Sequence, residues 1–388
     1  MSQILIQSLT AFFCTLLAIV LLAPLARRIG LVDLPTGRKQ HQDAVPLVGG
    51  LAILVAFLMG AILWGHSDSV TVAIKGQNAL GVLLGCATFL AVTGALDDRF
   101  HLGVFMRVVS EVLVALTIIE LLNLRLTELG DLIGTGPIKL PFTVSYIFTV
   151  VAIFGLMNAF NMLDGIDGLL ASLAFTTIIG FHLFIATKPG LVSLFILASL
   201  SGFLISNLQL SPMVPKSFLG DAGSKLLGFV VVCLLLAAAS GQVGGEQLIK
   251  PATALYLVTV PLFDMVFTTL RRVIRKGSPF VADRSHIHHL FLDLGFSHHR
   301  ALVVIVTINL AATSLGLLLH RLNAPEYYQL GVFIGMFLLY CLLASQAWIV
   351  ANKLTGNLSL GDEVYLAHQS GSKSPPRIKV ADKLTSLK

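Results

Sequence analysis

Long apolar runs separated by short polar islands dominate this sequence. The runs cover roughly residues 3–26, 48–65, 78–96, 104–123, 142–160, 166–187, 190–208, 223–240, 249–270, 301–320 and 327–351. Each is close to the ~20 residues a helix needs to cross the hydrocarbon core of a bilayer. A helix satisfies its own backbone polar groups there, which an open strand cannot. The pattern predicts an all-α, polytopic integral membrane protein of about eleven transmembrane helices. Residues 1–351 form one helical domain, and residues 352–388 a basic, Ser/Pro/Lys-rich tail expected to be disordered and weakly drawn to anionic lipid. The first run has no basic residue before it and no small-residue cleavage site, so it reads as a retained helix. No internal repeat is visible.

Composition agrees. Of 388 residues, 56% are hydrophobic and only 12% charged, which excludes an ordinary soluble domain. The net charge of +6 reflects topology rather than nucleic-acid binding. Twenty of the 26 Lys and Arg residues fall on one set of loops and the tail, and six on the other. The richer face is therefore cytoplasmic, with the amino terminus outside and the carboxyl terminus inside. Cys14, Cys86, Cys233 and Cys341 lie singly in apolar segments and read as small core residues.

On this topology the unusual polar clusters share the cytoplasmic side. Asp97 and Asp98 end the third run, followed by Arg99. The stretch Asn158–Leu170 carries Asn158, Asn161, Asp164 and Asp167 at a spacing of three, which keeps them on one slowly drifting side of a helix. A charge near hydrocarbon costs several kcal/mol unless it meets water, a metal or a partner. Phe218–Lys225 sets two glycines around Asp221 where a helix opens, a favourable place for an anion or a metal. The ninth run holds Pro261 and Asp264, and the loop after it carries Arg284, His286, His288 and His289. No cysteine or carboxylate completes a tetrahedral zinc set with these histidines, and with Arg284 alongside, phosphate or sugar contact is the better reading.

Oxygen-rich ligands favour Mg²⁺ or Mn²⁺, and Mg²⁺ usually binds through one or two carboxylates plus substrate phosphates. Basic groups beside such an ion suit a diphosphate that gains charge during transfer. A site at the membrane surface implies one lipid-borne and one water-borne substrate. The chemistry that fits is phosphoryl transfer from a soluble nucleotide-linked donor to a lipid acceptor. A transporter would instead place polar groups near mid-membrane and show related halves. In a CDP-alcohol phosphotransferase, Ala-Arg should follow the Asp-Gly that here precedes Leu169-Leu170.

Four segments, LDDRF (96–100), NAFNMLDGIDGLL (158–170), FLGDAGSKLLGF (218–229) and RSHIHHLFLDLGF (284–296), resemble in sequence and order the polyprenyl-phosphate N-acetylhexosamine-1-phosphate transferases, the MraY/WecA superfamily. The His-Ile-His-His form and Pro46-Leu47-Val48-Gly49-Gly50 are similar to the WecA branch, which makes lipid-linked N-acetylglucosamine. The resemblance implies Mg²⁺-dependent transfer of GlcNAc-1-phosphate from UDP-GlcNAc to undecaprenyl phosphate at the bacterial inner membrane, with Mn²⁺ as a substitute ion and tunicamycin as an inhibitor. It implies Asp221 and Asn161 as metal contacts and Asp97 and Asp98 as the pair that orients or deprotonates the lipid phosphate. Asp164, Asp167 and Phe218 fall where the family holds uridine. Arg284, His286, His288 and His289 fall where the sugar and diphosphate are gripped, and Arg107 is an inexact match to a phosphate-binding lysine. The lysine found before the loop proline in the other, MurNAc-pentapeptide branch is Gln42 here. Partners are the two substrates and the bilayer; no nucleic acid is expected, and a homodimer is left open.

Overall fold

The computed structural model describes residues 2–34, 44–64, 78–187, 189–240, 247–274 and 285–355. The candidate site residue Arg284, the segment around Gln42 and most of the basic tail lie outside these ranges.

Every one of the apolar runs is helical. In chain order the helices are α1 (Ser2–Ile29), α2 (Gly49–Trp64), α3 (Ala79–Phe100), α4 (Val104–Leu122), α5 (Phe142–Met162), α6 (Leu169–Phe184), α7 (Leu191–Asn207) and α8 (Gly220–Ala239). The chain continues with α9 (Pro251–Ala254), a 3₁₀ turn (Leu255–Val258), α10 (Thr259–Ile274), α11 (Ile287–Asp293), α12 (His298–Arg321) and α13 (Glu326–Thr355). Among the described residues, seven helical segments are long and apolar enough to cross a membrane, and α2, α6 and α7 are shorter apolar helices. A single pair of two-residue strands, Val32–Asp33 with Val45–Pro46, is antiparallel. Hydropathy alone does not predict α11, which is one short amphipathic turn pair beside the histidines.

The ninth run shows how sequence breaks a helix usefully. Pro261 has no N–H and its ring collides with the carbonyl four residues back, which is that of Leu257. The helix tightens to 3₁₀ geometry over Leu255–Val258, and the Leu257 carbonyl accepts a hydrogen bond from the Thr177 hydroxyl of α6 at 2.8 Å.

At the centre stands α8, buried along its full apolar length against α2, α3, α5 and α6. Glycines let its amino-terminal turn approach other backbones. A Cβ on Gly94 of α3 would lie 2.5 Å from the Ala222 amide nitrogen, and one on Gly50 of α2 would collide with the Gly223 backbone. Lower down, a Cβ on Gly228 would lie 2.9 Å from the Met157 Cα of α5. The segment before α2 closes the arrangement, because the Phe218 amide donates to the Pro46 carbonyl at 3.0 Å and the Gly49 amide to the Phe218 carbonyl at 2.9 Å. The residues read as a loop motif thus meet around one helix end.

Gly94→Ala should therefore force α3 away from α8 and destabilise the bundle by about 1–3 kcal/mol, the usual cost of overpacking. Thermal unfolding of purified protein in detergent reads this as a lowered Tm. Gly81→Ala, on the same helix where nothing lies within 4 Å, should leave Tm unchanged.

Candidate active site

The acids meet where the ends of α3 and α8 touch. Asp98 lies at the last turn of α3, and its Oδ1 accepts the Asp221 amide at 3.1 Å. A carboxylate at a helix amino terminus satisfies an otherwise unpaired donor and the helix dipole. Asp98 Oδ2 is buried and has no hydrogen-bond partner. Asp97 is buried beside it, and one ammonium, that of Lys225, lies 3.6 Å from the Asp97 carboxyl and 3.9 Å from that of Asp221. Arg107 of α4 reaches Asp97 at 3.2 Å. Asn161 joins through its side-chain oxygen, which accepts from the Ser224 hydroxyl. Asp97, Asp98, Asp221, Asn161 and Arg107 are thus brought together, and Arg107 is engaged by a protein carboxylate.

Two further residues, Lys225 and Glu111, complete this cluster, and the sequence did not single them out as site residues. Lys225 is only 1% exposed and lies 3.6 Å from Asp97, 3.7 Å from Glu111 and 3.9 Å from Asp221. Its charge belongs to the interior, not to the cytoplasmic loops with which its position in sequence groups it. Glu111 of α4 is itself buried and accepts from the Asn158 amide at 2.6 Å. A glutamate in a largely apolar helix is the kind of residue that should carry a partner, which is the one sequence signal that pointed to it.

A second group lies at the mouth. Asp167 pairs with Lys216 at 2.6 Å, and the same ammonium lies 5.3 Å from the ring centre of Phe218. Asn207, the last residue of α7, ties the two loops together. Its Oδ1 accepts the Gly168 amide at 2.6 Å, and its Nδ2 donates to the Ser217 carbonyl at 3.0 Å. Gly168 has φ +76°, a left-handed conformation that glycine adopts without strain. Asp164 lies on the loop between α5 and α6. Desolvation by the surrounding protein, with Asp98 and Asp167 nearby, raises its carboxyl from 3.8 to about 7. The side chain is solvent-exposed, so water screens part of that push.

The histidines form the third group. His286 Nδ1 lies 2.7 Å from Asp264 Oδ2, and Asp264 Oδ1 accepts the Ile287 amide at 2.7 Å and the Tyr340 hydroxyl at 3.3 Å. Arg272 is 3.4 Å from the other nitrogen of His286. The carboxylate beside His286 thus comes from α10, as a hydrogen-bond partner that orients the imidazole. The rings of His286 and His288 are stacked with centroids 5.9 Å apart, and those of His288 and His289 are 4.2 Å apart. His288 is buried over Gly165, where a Cβ would collide with its ring. The histidine group therefore abuts the Asp164–Asp167 loop directly.

Among the described residues, no three His, Cys, Asp or Glu side chains form a metal cage. The donor set nonetheless fits a hard divalent cation: adjoining carboxyls of Asp97 and Asp221, and the unpartnered Asp98 Oδ2, are oxygen ligands of the kind that share Mg²⁺ with substrate phosphates.

Comparison with known proteins points to one family. The family described as glycosyl transferase family 4 matches residues 80–239, which include the acids of α3, the α5–α6 loop and α8. The undecaprenyl-phosphate alpha-N-acetylglucosaminyl 1-phosphate transferase of Escherichia coli O157:H7 is 35% identical over 351 residues, covering 88% of this chain and 91% of that protein. The protein of the same name from Yersinia pestis is 35% identical, covering 84% and 87%. That from Haemophilus influenzae is 33% identical, covering 87% and 93%.

Asp264→Asn should remove the charged acceptor from three donors at once. Breaking a buried, hydrogen-bonded pair of this kind costs about 3–5 kcal/mol, so the Tm in detergent should fall well below wild type. An unchanged Tm would mean the His286 pair contributes nothing.

Proposed function

The chain belongs to glycosyl transferase family 4, and on that footing we propose that it transfers GlcNAc-1-phosphate from UDP-GlcNAc to undecaprenyl phosphate, giving undecaprenyl-diphospho-GlcNAc and UMP. The observation that carries this reading is the meeting of Asp97, Asp98, Asp221 and Asn161, supplied by three helices far apart in sequence. The names of the relatives support the substrates. The eleven apolar runs support eleven spans, and the excess of Lys and Arg on one set of loops supports an external amino terminus and a site facing the cytoplasm across the inner membrane.

An oxygen of the lipid phosphate attacks the sugar-bearing phosphorus of UDP-GlcNAc. The bond from that phosphorus to the bridging oxygen breaks, and UMP departs with the oxygen. Asp97 and Asp98 orient the lipid phosphate and accept its proton if it arrives protonated. Asp221 and Asn161, with Asp98 Oδ2, are the groups that would hold Mg²⁺, or Mn²⁺ in its place. The ion supplies charge neutralisation to the diphosphate as the leaving group forms. Asp164, Asp167 and Phe218 line the mouth for the uridine, where Phe218 offers a ring face and the carboxylates accept hydrogen bonds from the base or ribose. His288 and His289 face the same loop and contact the diphosphate or the sugar, while Asp264 fixes the ring of His286.

Purified full-length protein with undecaprenyl phosphate, Mg²⁺ and a panel of UDP-sugars should release UMP fastest with UDP-GlcNAc. A faster rate with another N-acetylhexosamine would change the sugar and keep the reaction. EDTA should stop the release and excess Mg²⁺ restore it. Asp221→Asn should lower kcat by about a hundredfold or more, the scale of losing a charged group that acts on the transition state, while the protein still inserts and elutes as wild type. Near-normal UMP release from that variant would remove Asp221 from the metal site.

A further inference from the structure

Lys225 is the one ammonium group among the described residues placed between three carboxyls, those of Asp97 and Glu111 buried and that of Asp221 partly exposed. Its burial to 1% exposure leaves it no path to a substrate, so whatever it does is done through the acids it touches. Its separations of 3.6, 3.7 and 3.9 Å from Asp97, Glu111 and Asp221 are nearly equal and longer than a direct N⁺–H···O⁻ hydrogen bond, about 2.7–2.9 Å. It sits centrally rather than paired to one acid. Glu111 is fixed in turn by the Asn158 amide at 2.6 Å, and Asn158 is anchored to its own helix through the Phe154 carbonyl at 2.9 Å. Lys225 is held from behind by Glu111 and faces Asp97 and Asp221 in front.

The charges around the site are Asp97, Asp98, Glu111 and Asp221 against Arg107 and Lys225, all connected by the contacts described. With every group ionised the cluster carries two net negative charges, which one divalent cation balances. Without Lys225 it would carry three.

We propose that Lys225, seated by Glu111, is a positioning residue: an internal counter-charge that spaces Asp97 and Asp221 and sets how strongly the site attracts its divalent ion. This rests on the reading of the site as a divalent-cation site. Lys225 and Glu111 then act on metal affinity with opposite signs. Losing the lysine makes the site more negative and the ion tighter but misplaced; losing the glutamate makes the site less negative and the ion weaker. A purely structural role moves both in one direction, since either loss leaves a buried charge unpaired.

The test titrates Mn²⁺ into full-length protein in detergent and follows free Mn²⁺ by electron paramagnetic resonance, with UMP release measured in parallel. Lys225→Met should bind Mn²⁺ about tenfold more tightly than wild type, as expected for removing a nearby like charge in a partly desolvated site, with kcat lowered and the KM for UDP-GlcNAc little changed. Glu111→Gln should bind several-fold more weakly. The double variant, whose net charge matches wild type, should return to within about threefold of it, and Lys225→Arg should bind as wild type does. Unchanged or weaker binding in Lys225→Met overturns the proposal, as does a shift of both single variants in the same direction. Should Lys225→Met fail to elute as a folded species, the near-isosteric Glu111→Gln decides, because unchanged or tighter binding there also overturns it. If wild type binds no Mn²⁺, the metal reading itself fails and the proposal with it, whereas wild-type binding with no effect of Lys225→Met fails the proposal alone.

Discussion

A charge inside an apolar bundle has to be answered by another charge or by a donor, and this structure is arranged to meet that demand at one place. The carboxyls of Asp97, Asp98, Glu111 and Asp221 would each be costly alone. Together with Arg107, Lys225, the Asn158 amide and the α8 backbone they form a connected set. The set is stable only while α3, α4, α5 and α8 keep their mutual positions, because its members are shared among these four helices. Packing and electrostatics are therefore one problem here.

The packing side is solved by close backbone approach. Where Gly94 and Gly50 meet the first turn of α8, side chains would hold the helices too far apart for Asp98 to reach the Asp221 amide at 3.1 Å. The glycines around Asp221 thus belong to the interior as much as to any ligand. The same economy of space recurs at Gly165, where the absence of a side chain lets the His288 ring settle over the α5–α6 loop.

Much of this was legible in the sequence. Hydropathy located every major helix, because burial in lipid writes a long, unambiguous signal. The islands that hold Asp97, Asp98, Asn161, Asp221 and His288 stood out because polar residues are expensive in such surroundings. What sequence could not give was pairing. Glu111 is one of two acids in a largely apolar helix, and its partners Asn158 and Lys225 lie far along the chain. Lys225 read as one more basic residue at a helix end. Arg107 read as a phosphate contact, yet it faces Asp97. Asp264 lay in plain view inside an apolar run, but nothing local tied it to His286. Such contacts are set by helix crossings, which leave little trace in residue order.

The amide of Asn207 has a consequence for how the mouth moves. It closes the carboxyl end of α7 and grips the Gly168 amide on one side and the Ser217 carbonyl on the other. The two lips of the mouth, one carrying Asp167 and the other Phe218, are therefore latched to a single post. A tilt of α7 would carry both loops together, keeping Asp167 and Phe218 in step.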